Sequence, residues 1–381
     1  MIKLNVGCKY ELEFVDKVIE LNEKYESLGA RVNEVYGTHP YFRGVISDVR
    51  EGFRNLGTGL EEFKQAVAKL RKAKIDVNYV MNSPVLGECY IAKYKVKILN
   101  TVKRLKKIGV NIITTPDIEL TELIKKHIPN LKVYFSTVAD TKNQAELDYA
   151  KEIGFDRVIP GLYSNRDFAF LKYAKKICQP LELLLQSTCR FNCLRRKNHA
   201  ISEALMEKKP NDPEVRDYFV RSCFIEFNRD FPAGFLKTSW IMPEDLKKCD
   251  KLCGDVLFKV NGRTLTIDER LFITECYLRG KSPHNFGNLF AATTAVSNLE
   301  GNKYRKIFLP SALLLQKVTY KGKKYNGFTD YFFKENLTYE EYDKYCRHFG
   351  KLIKNKVSLG KKTEFYKESG IEKYPSLKKL R

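Results

Sequence analysis

Eight short runs of strand-forming residues recur along this chain, with longer amphipathic stretches between them, and that alternation restricts the fold more than any other feature. The runs are Lys3–Val6, Val32–Tyr36, Val77–Met81, Asn111–Thr114, Lys132–Phe135, Arg157–Pro160, Glu182–Leu185 and Val256–Val260. Strands joined only through helices pair in parallel, and a parallel sheet is covered on both faces or closed on itself. In Glu61–Lys72 and Tyr94–Ile108 apolar residues fall at three- and four-residue intervals while lysines take the other face, the pattern of a helix lying on a core. Gly29, Gly109 and Gly154 stand where such helices end, just before the next strand. Eight units of this kind predict an α/β (β/α)8 TIM-like barrel over residues 1–280, with its working face at the C-terminal ends of the strands.

One connection breaks the rhythm. Between the seventh and eighth strands an insertion at 187–254 holds Cys189, Cys193, His199, Cys223, Trp240 and a helix opened by Pro243-Glu244-Asp245. A loop of that length in a compact domain commonly carries function. From 281 to 381 the sequence becomes aromatic and lysine-rich, an α-rich extension with a helix expected at Tyr339–Val357 behind a Thr338/Glu341 capping box, then a basic tail from Lys361.

No stretch approaches the roughly 20 continuous apolar residues that cross a bilayer. The first residues run directly into strand-like sequence without the features of a secretory leader, so the expected location is the cytoplasm. The net charge of +22 suggests a polyanionic partner, RNA or an anionic small molecule, or else a solvated lysine-rich surface.

Ten cysteines in such a chain are not expected to form disulfides where thiols are kept reduced, which leaves metal ligation or inert packing. Cys189 and Cys193 follow the seventh strand directly, where a barrel keeps its site, and Cys223 comes some thirty residues later. A Cys-x3-Cys turn can hold two thiolates on one centre; an iron-sulfur cluster takes four ligands, and zinc is satisfied by four thiolates or by three and a histidine such as His199. Cys178, Cys249, Cys253 and Cys276 fall away from that face and are expected to be structural, whereas Cys8 and Cys89 lie on it.

Three segments in order, Cys189-x3-Cys193 with His199 and Cys223, then Trp240-Ile241-Met242-Pro243-Glu244-Asp245-Leu246, then Phe258-Lys259-Val260-Asn261-Gly262-Arg263, resemble the collagenase-like peptidase U-32 family. The resemblance is clearest over residues 181–265, and the family's barrel agrees with the eight-strand reading. It implies a 4Fe-4S cluster at the barrel mouth, with Cys189, Cys193 and Cys223 at matching ligand positions. The fourth ligand has no counterpart between Cys193 and Cys223; Cys346, in what looks like the remnant of a cysteine-rich C-terminal segment, is the first candidate and Cys8 the second. The resemblance further implies oxygen-independent hydroxylation or a related modification of an aromatic small molecule or RNA base, with or without a partner subunit. Two readings compete with it: a collagenase-like peptidase, and a non-catalytic RNA- or partner-binding protein.

Lys259 and Arg263 bracket the end of the eighth strand, where a fixed ammonium and a forked guanidinium could hold a carboxylate or phosphate. Glu34 and Tyr36, near the end of the second strand, could line the same cavity, although a barrel glutamate paired with a cation reads equally well. His39 stands on a post-strand loop, and Trp240 is expected to pack the insertion against the barrel. A phosphate-binding Gly-x4-Gly-Lys-Ser/Thr loop, a His-Glu-x2-His helix, a Gly-x-Ser-x-Gly elbow and a Cys-x3-Cys-x2-Cys triplet are all missing from the sequence, which disfavours a hydrolase built on standard machinery.

Overall fold

The computed structural model describes residues 1–42, 58–84, 88–187, 189, 193–208, 233–263, 265–283, 289 and 338–354. Eight parallel strands close into a barrel in chain order: β1 (Ile2–Gly7), β2 (Ala30–Gly37), β3 (Asp76–Val80), β4 (Ile112–Thr115), β5 (Lys132–Phe135), β6 (Arg157–Val158), β7 (Leu181–Leu184) and β8 (Val256–Val260). The TIM-like reading is therefore met, and strand limits differ from the expected ones by a residue or two. The sixth strand stops early because Pro160 has no N–H to add to the ladder.

The helices follow from their apolar spacing. They are α1 (Leu12–Tyr25), α2 (Leu60–Lys72), α3 (Glu88–Ile108), α4 (Ile118–His127), α5 (Gln144–Ile153), α6 (Phe168–Lys176), α7 (Arg196–Lys208), α8 (Ala233–Leu236), α9 (Leu246–Cys253), α10 (Ile267–Arg279) and α11 (Tyr339–Lys354). In α2 the buried residues Phe63, Ala66, Val67 and Leu70 recur at three- and four-residue steps, so one stripe meets the sheet. Gly29 and Gly154 take φ of 85° and 90° at helix ends, a left-handed conformation that costs a side-chain-bearing residue strain. Thr266 and Glu269 form a reciprocal capping box at the start of α10, and Thr338 with Glu341 forms the one expected before α11.

Register fixes what faces the barrel axis. Asn5 of β1 lies opposite Glu34 of β2 on one side and Lys259 of β8 on the other, so closure brings these three side chains to one level. Below them Ile112, Tyr134 and Leu257 form a small apolar cluster inside the barrel, separate from the large core between sheet and helices.

The insertion and the last described helix are tied to the barrel by one buried guanidinium. Arg166, in the turn Leu162–Arg166 after β6, donates to Leu236 O at 2.7 Å, Trp240 O at 3.1 Å and Tyr342 Oη at 3.0 Å. Its cation lies 4.6 Å from the Trp240 ring, which stacks on Phe235 at 5.6 Å, so the only tryptophan does pack the insertion down. Tyr342 donates onward to Lys237 O at 2.8 Å, and Lys237 pairs with Asp343.

Removing Arg166 leaves two buried carbonyls and a phenol without their donor, and each such group costs about 1–3 kcal/mol. Arg166→Met is expected to lower the unfolding free energy by about 3 kcal/mol in urea titrations, with Tyr342→Phe lowering it by about 1 kcal/mol. Equal stability of Arg166→Met and the parent would show that the strap contributes nothing.

Candidate functional site

Inside the upper half of the barrel lies a layer of polar side chains with almost no access to solvent: Asn5, Glu34, Asn78, Glu182 and Lys259. Each comes from a strand position whose neighbours in sequence point outward into the helical core, as the two-residue period of a strand requires. Asn5 Nδ2 donates to both carboxyls, at 2.7 Å to Glu34 Oε1 and 3.1 Å to Glu182 Oε1. Asn78 Nδ2 adds a second bond to Glu34 Oε1 at 2.7 Å, and its own Oδ1 accepts from Thr114 Oγ1 at 2.8 Å. Lys259 Nζ closes the group with a 2.7 Å ion pair to Glu182 Oε1.

Two carboxyls therefore share one ammonium. Burial first, and the Glu182 carboxylate second, push the Glu34 carboxyl up from 4.5 to about 8, against the opposing pull of the Asn78 bond and of Lys259. Glu34 consequently keeps its proton at neutral pH while Glu182 and Lys259 form the ion pair. Glu34 Oε1 takes both amide donors, while Glu34 Oε2, like Glu182 Oε2, is a buried oxygen with no hydrogen-bond partner among the described residues. Burial is the largest single influence on the Lys259 ammonium and pulls it down, but Glu182, Tyr36 and Glu34 together outweigh it and the net direction is up.

Next to this layer, on the mouth side, stands Tyr36. Lys259 Nζ stands 3.9 Å from the centre of its ring and the Arg263 guanidinium 5.5 Å, so two cations lie against one aromatic ring. Tyr36 Oη donates to Val260 O at 3.1 Å, which holds the ring across the β1 seam. Gly7 makes this approach feasible, because a Cβ there would meet Arg263 Cγ at 2.7 Å and Tyr36 Oη at 3.2 Å. The four residues singled out by sequence, Glu34, Tyr36, Lys259 and Arg263, thus form one connected group. Sequence reading missed Asn5, Asn78 and Glu182; the available signal was a polar residue flanked by apolar ones within each of three strands.

The expected cluster, whether 4Fe-4S or zinc, is corrected by the structure: among the described residues no group of three or more His, Cys, Asp or Glu side chains could hold a metal ion. Cys346 packs as an apolar residue, wholly buried in the main core beside Tyr342. Cys8 is buried too, its sulfur accepts from Tyr10 N at 3.0 Å, and burial pushes its thiol up to about 12, which keeps it protonated and a poor ligand. Cys189 and Cys193 are half-buried beyond the end of β7, and Cys223 lies outside the described residues, as do 209–232 and the basic tail. His199 Nε2 faces Glu203 Oε1 at 3.5 Å, one helical turn on. His39 is a core residue: its ring stacks on Phe63 at 4.7 Å and Nε2 lies 2.8 Å from Thr58 O. Cys249, Cys253 and Cys276 are buried as expected, while Cys178 is exposed at the end of α6.

A pH effect on stability follows from Glu34. Its folded pKa lies above the unfolded value, so the native state binds more protons and loses stability as pH rises from about 4.5 through about 8. Urea titrations across that window are expected to show a loss of up to about 1.4 kcal/mol per pH unit from this group, absent in Glu34→Gln. Identical pH dependence of the two proteins would remove the retained proton from the account.

Residues 22–162 match the sequence model of a family described as Peptidase family U32, a stretch from within α1 to the start of the turn that carries Arg166. No curated protein matches the chain in sequence. Among solved structures the chain is similar to the U32 peptidase Mk0906, at 12% identity and a TM-score of 0.48, with 69% of this chain and 94% of that one covered. It is also similar to the trehalose-6-phosphate hydrolase TreA of Bacillus licheniformis, at 9% identity and a TM-score of 0.37, covering 93% and 83%. A third is CpGH84D, at 10% identity and a TM-score of 0.31, covering 91% and 67%.

Proposed function

We propose that this chain is an enzyme of the peptidase U32 kind, hydrolysing peptide bonds at the C-terminal mouth of the barrel. The observation that carries the reading is the match to that family over residues 22–162, which runs through Glu34 and Tyr36 and so covers part of the polar layer. The retained proton beside a fixed ammonium gives that layer a chemical use.

Peptide hydrolysis builds negative charge on the scissile carbonyl oxygen, and a cation already aimed at that position stabilises it without reorganising. Lys259 has the required character: its ammonium is fixed by Glu182 from below and by the Tyr36 ring at its side. Arg263, on the loop just past β8, supplies a forked donor for a substrate carboxylate. Glu34 acts from the same layer as a positioning residue. While it is protonated, the layer holds one carboxylate and one ammonium, and Lys259 is free to act upward. Once it ionises, near pH 8, a second negative charge beside Lys259 offsets the field of its ammonium. Activity supported by Lys259 is therefore high below that pH and falls above it.

The test is release of new α-amino groups from an unstructured polypeptide such as gelatin. Lys259→Met is expected to reduce kcat/KM by about 100- to 1,000-fold, the usual loss of an oxyanion-stabilising donor. Glu34→Gln should keep most of the activity at pH 7 and lose the decline above pH 8. Absence of cleavage by the folded parent protein, or full activity in Lys259→Met, would overturn the proposal.

A further inference from the structure

The opposite end of the barrel carries a concentration of charge that the reaction at the mouth does not use. In a parallel barrel the helices run back from the mouth, so the C-terminal ends of α2, α3 and α4 lie together on the far face. There Lys72, Lys74, Lys103, Lys106, Lys107, Lys126 and Lys132 are all exposed, and none of their ammonium groups has a hydrogen bond or ion pair among the described residues. Of the nearby carboxylates, Asp76 is engaged with Arg71 at 2.5 Å and Asp156 with Lys125 at 2.6 Å, and Glu122 stands exposed one turn before Lys126.

The three helices are polarised. Glu61 and Glu62 stand in the first turn of α2 and Glu119 in that of α4, and α3 has no acidic residue after Glu88. Cations in a last turn complement the helix dipole, which accounts for Lys72, Lys106, Lys107 and Lys126. It does not account for Lys74, which follows α2, for Lys132, which opens β5, or for Lys103, a turn further up α3. Those three widen the charged area across two interhelical spacings, about 20 Å at 8–10 Å each.

We propose that this face binds the phosphodiester backbone of a nucleic acid. Seven point cations spread over that width suit a line of phosphates, and lysine without interleaved aromatic residues contacts backbone rather than bases. A membrane-binding face would place large apolar side chains among its lysines. Among the described residues Leu28 is an exposed large apolar side chain on this end of the barrel, in the turn before β2 beside Lys74, whereas Val96 in the first half of α3 and Leu194 beyond β7 lie toward the mouth. The inference is independent of the proposed peptidase activity, since the lysines lie on the other end of the barrel from Lys259.

The test uses the full-length chain, a fluorescently labelled 20-nucleotide single-stranded RNA of mixed sequence, the matching DNA, and vesicles of phosphatidylcholine with phosphatidylserine. Anisotropy titrations are expected to show RNA and DNA binding with similar affinity that weakens steeply with salt. The combined variant Lys103→Gln, Lys106→Gln, Lys107→Gln should reduce the slope of log K against log salt by about 2, at about 0.7 per phosphate contact on a single strand. Its gelatin cleavage should equal that of the parent. Absence of binding at low salt, an unchanged slope in the variant, or binding to vesicles without binding to either oligonucleotide would each overturn the proposal.

Discussion

The structure turns on a mismatch of charge at the barrel axis: two carboxyls and a single ammonium enclosed where water does not reach. Charges there are costly to leave unpaired, and a glutamate that cannot find a cation protonates instead. Asn5 makes the arrangement stable in space by donating to both acids at once, and Asn78 holds Glu34 from the other side. Barrel closure is thereby coupled to proton occupancy, because Asn5 and Lys259 face each other across the seam between first and last strands.

The same mismatch links the fold to the chemistry proposed for it. A lysine facing one carboxylate from below, with an aromatic ring beside it, is held ready to meet negative charge arriving from the mouth. Its strength depends on a neighbour it does not touch. Placing the titrating acid beside the ammonium, in the same layer, separates the group that senses pH from the group that meets substrate, a division also reached when carboxyls of differing environment share a site.

Much of the architecture was legible in the residues, because a strand–helix rhythm repeated eight times leaves few alternatives and glycine or proline marks the ends. Lys259, Glu34 and Tyr36 stood out as polar or aromatic residues near strand ends. Asn5, Asn78 and Glu182 did not, since each acquires its meaning from the register of the adjacent strand, a relation between distant parts of the chain that local pattern does not carry. The thiols misled for the complementary reason. Cys189 and Cys193 are close in sequence and near the expected face, but Cys346 had to arrive from a separate helix, and its smallness and apolar character suit the core beside Tyr342 as well as they suit a metal.

Arg166 and Tyr342 are separated by 176 positions, yet the guanidinium of the first donates to the hydroxyl of the second. During synthesis the turn after β6 emerges long before α11, so for most of that interval a buried-to-be cation lacks one of its acceptors. Contacts of such wide sequence separation are made late and slow the search for the native state. A ribosome-bound chain that stops short of Tyr339 would hold a closed sheet whose insertion is fastened by Arg166 and Asn165 but still lacks the Tyr342 contact, which makes the last described helix a late brace of the insertion as well as a piece of the core.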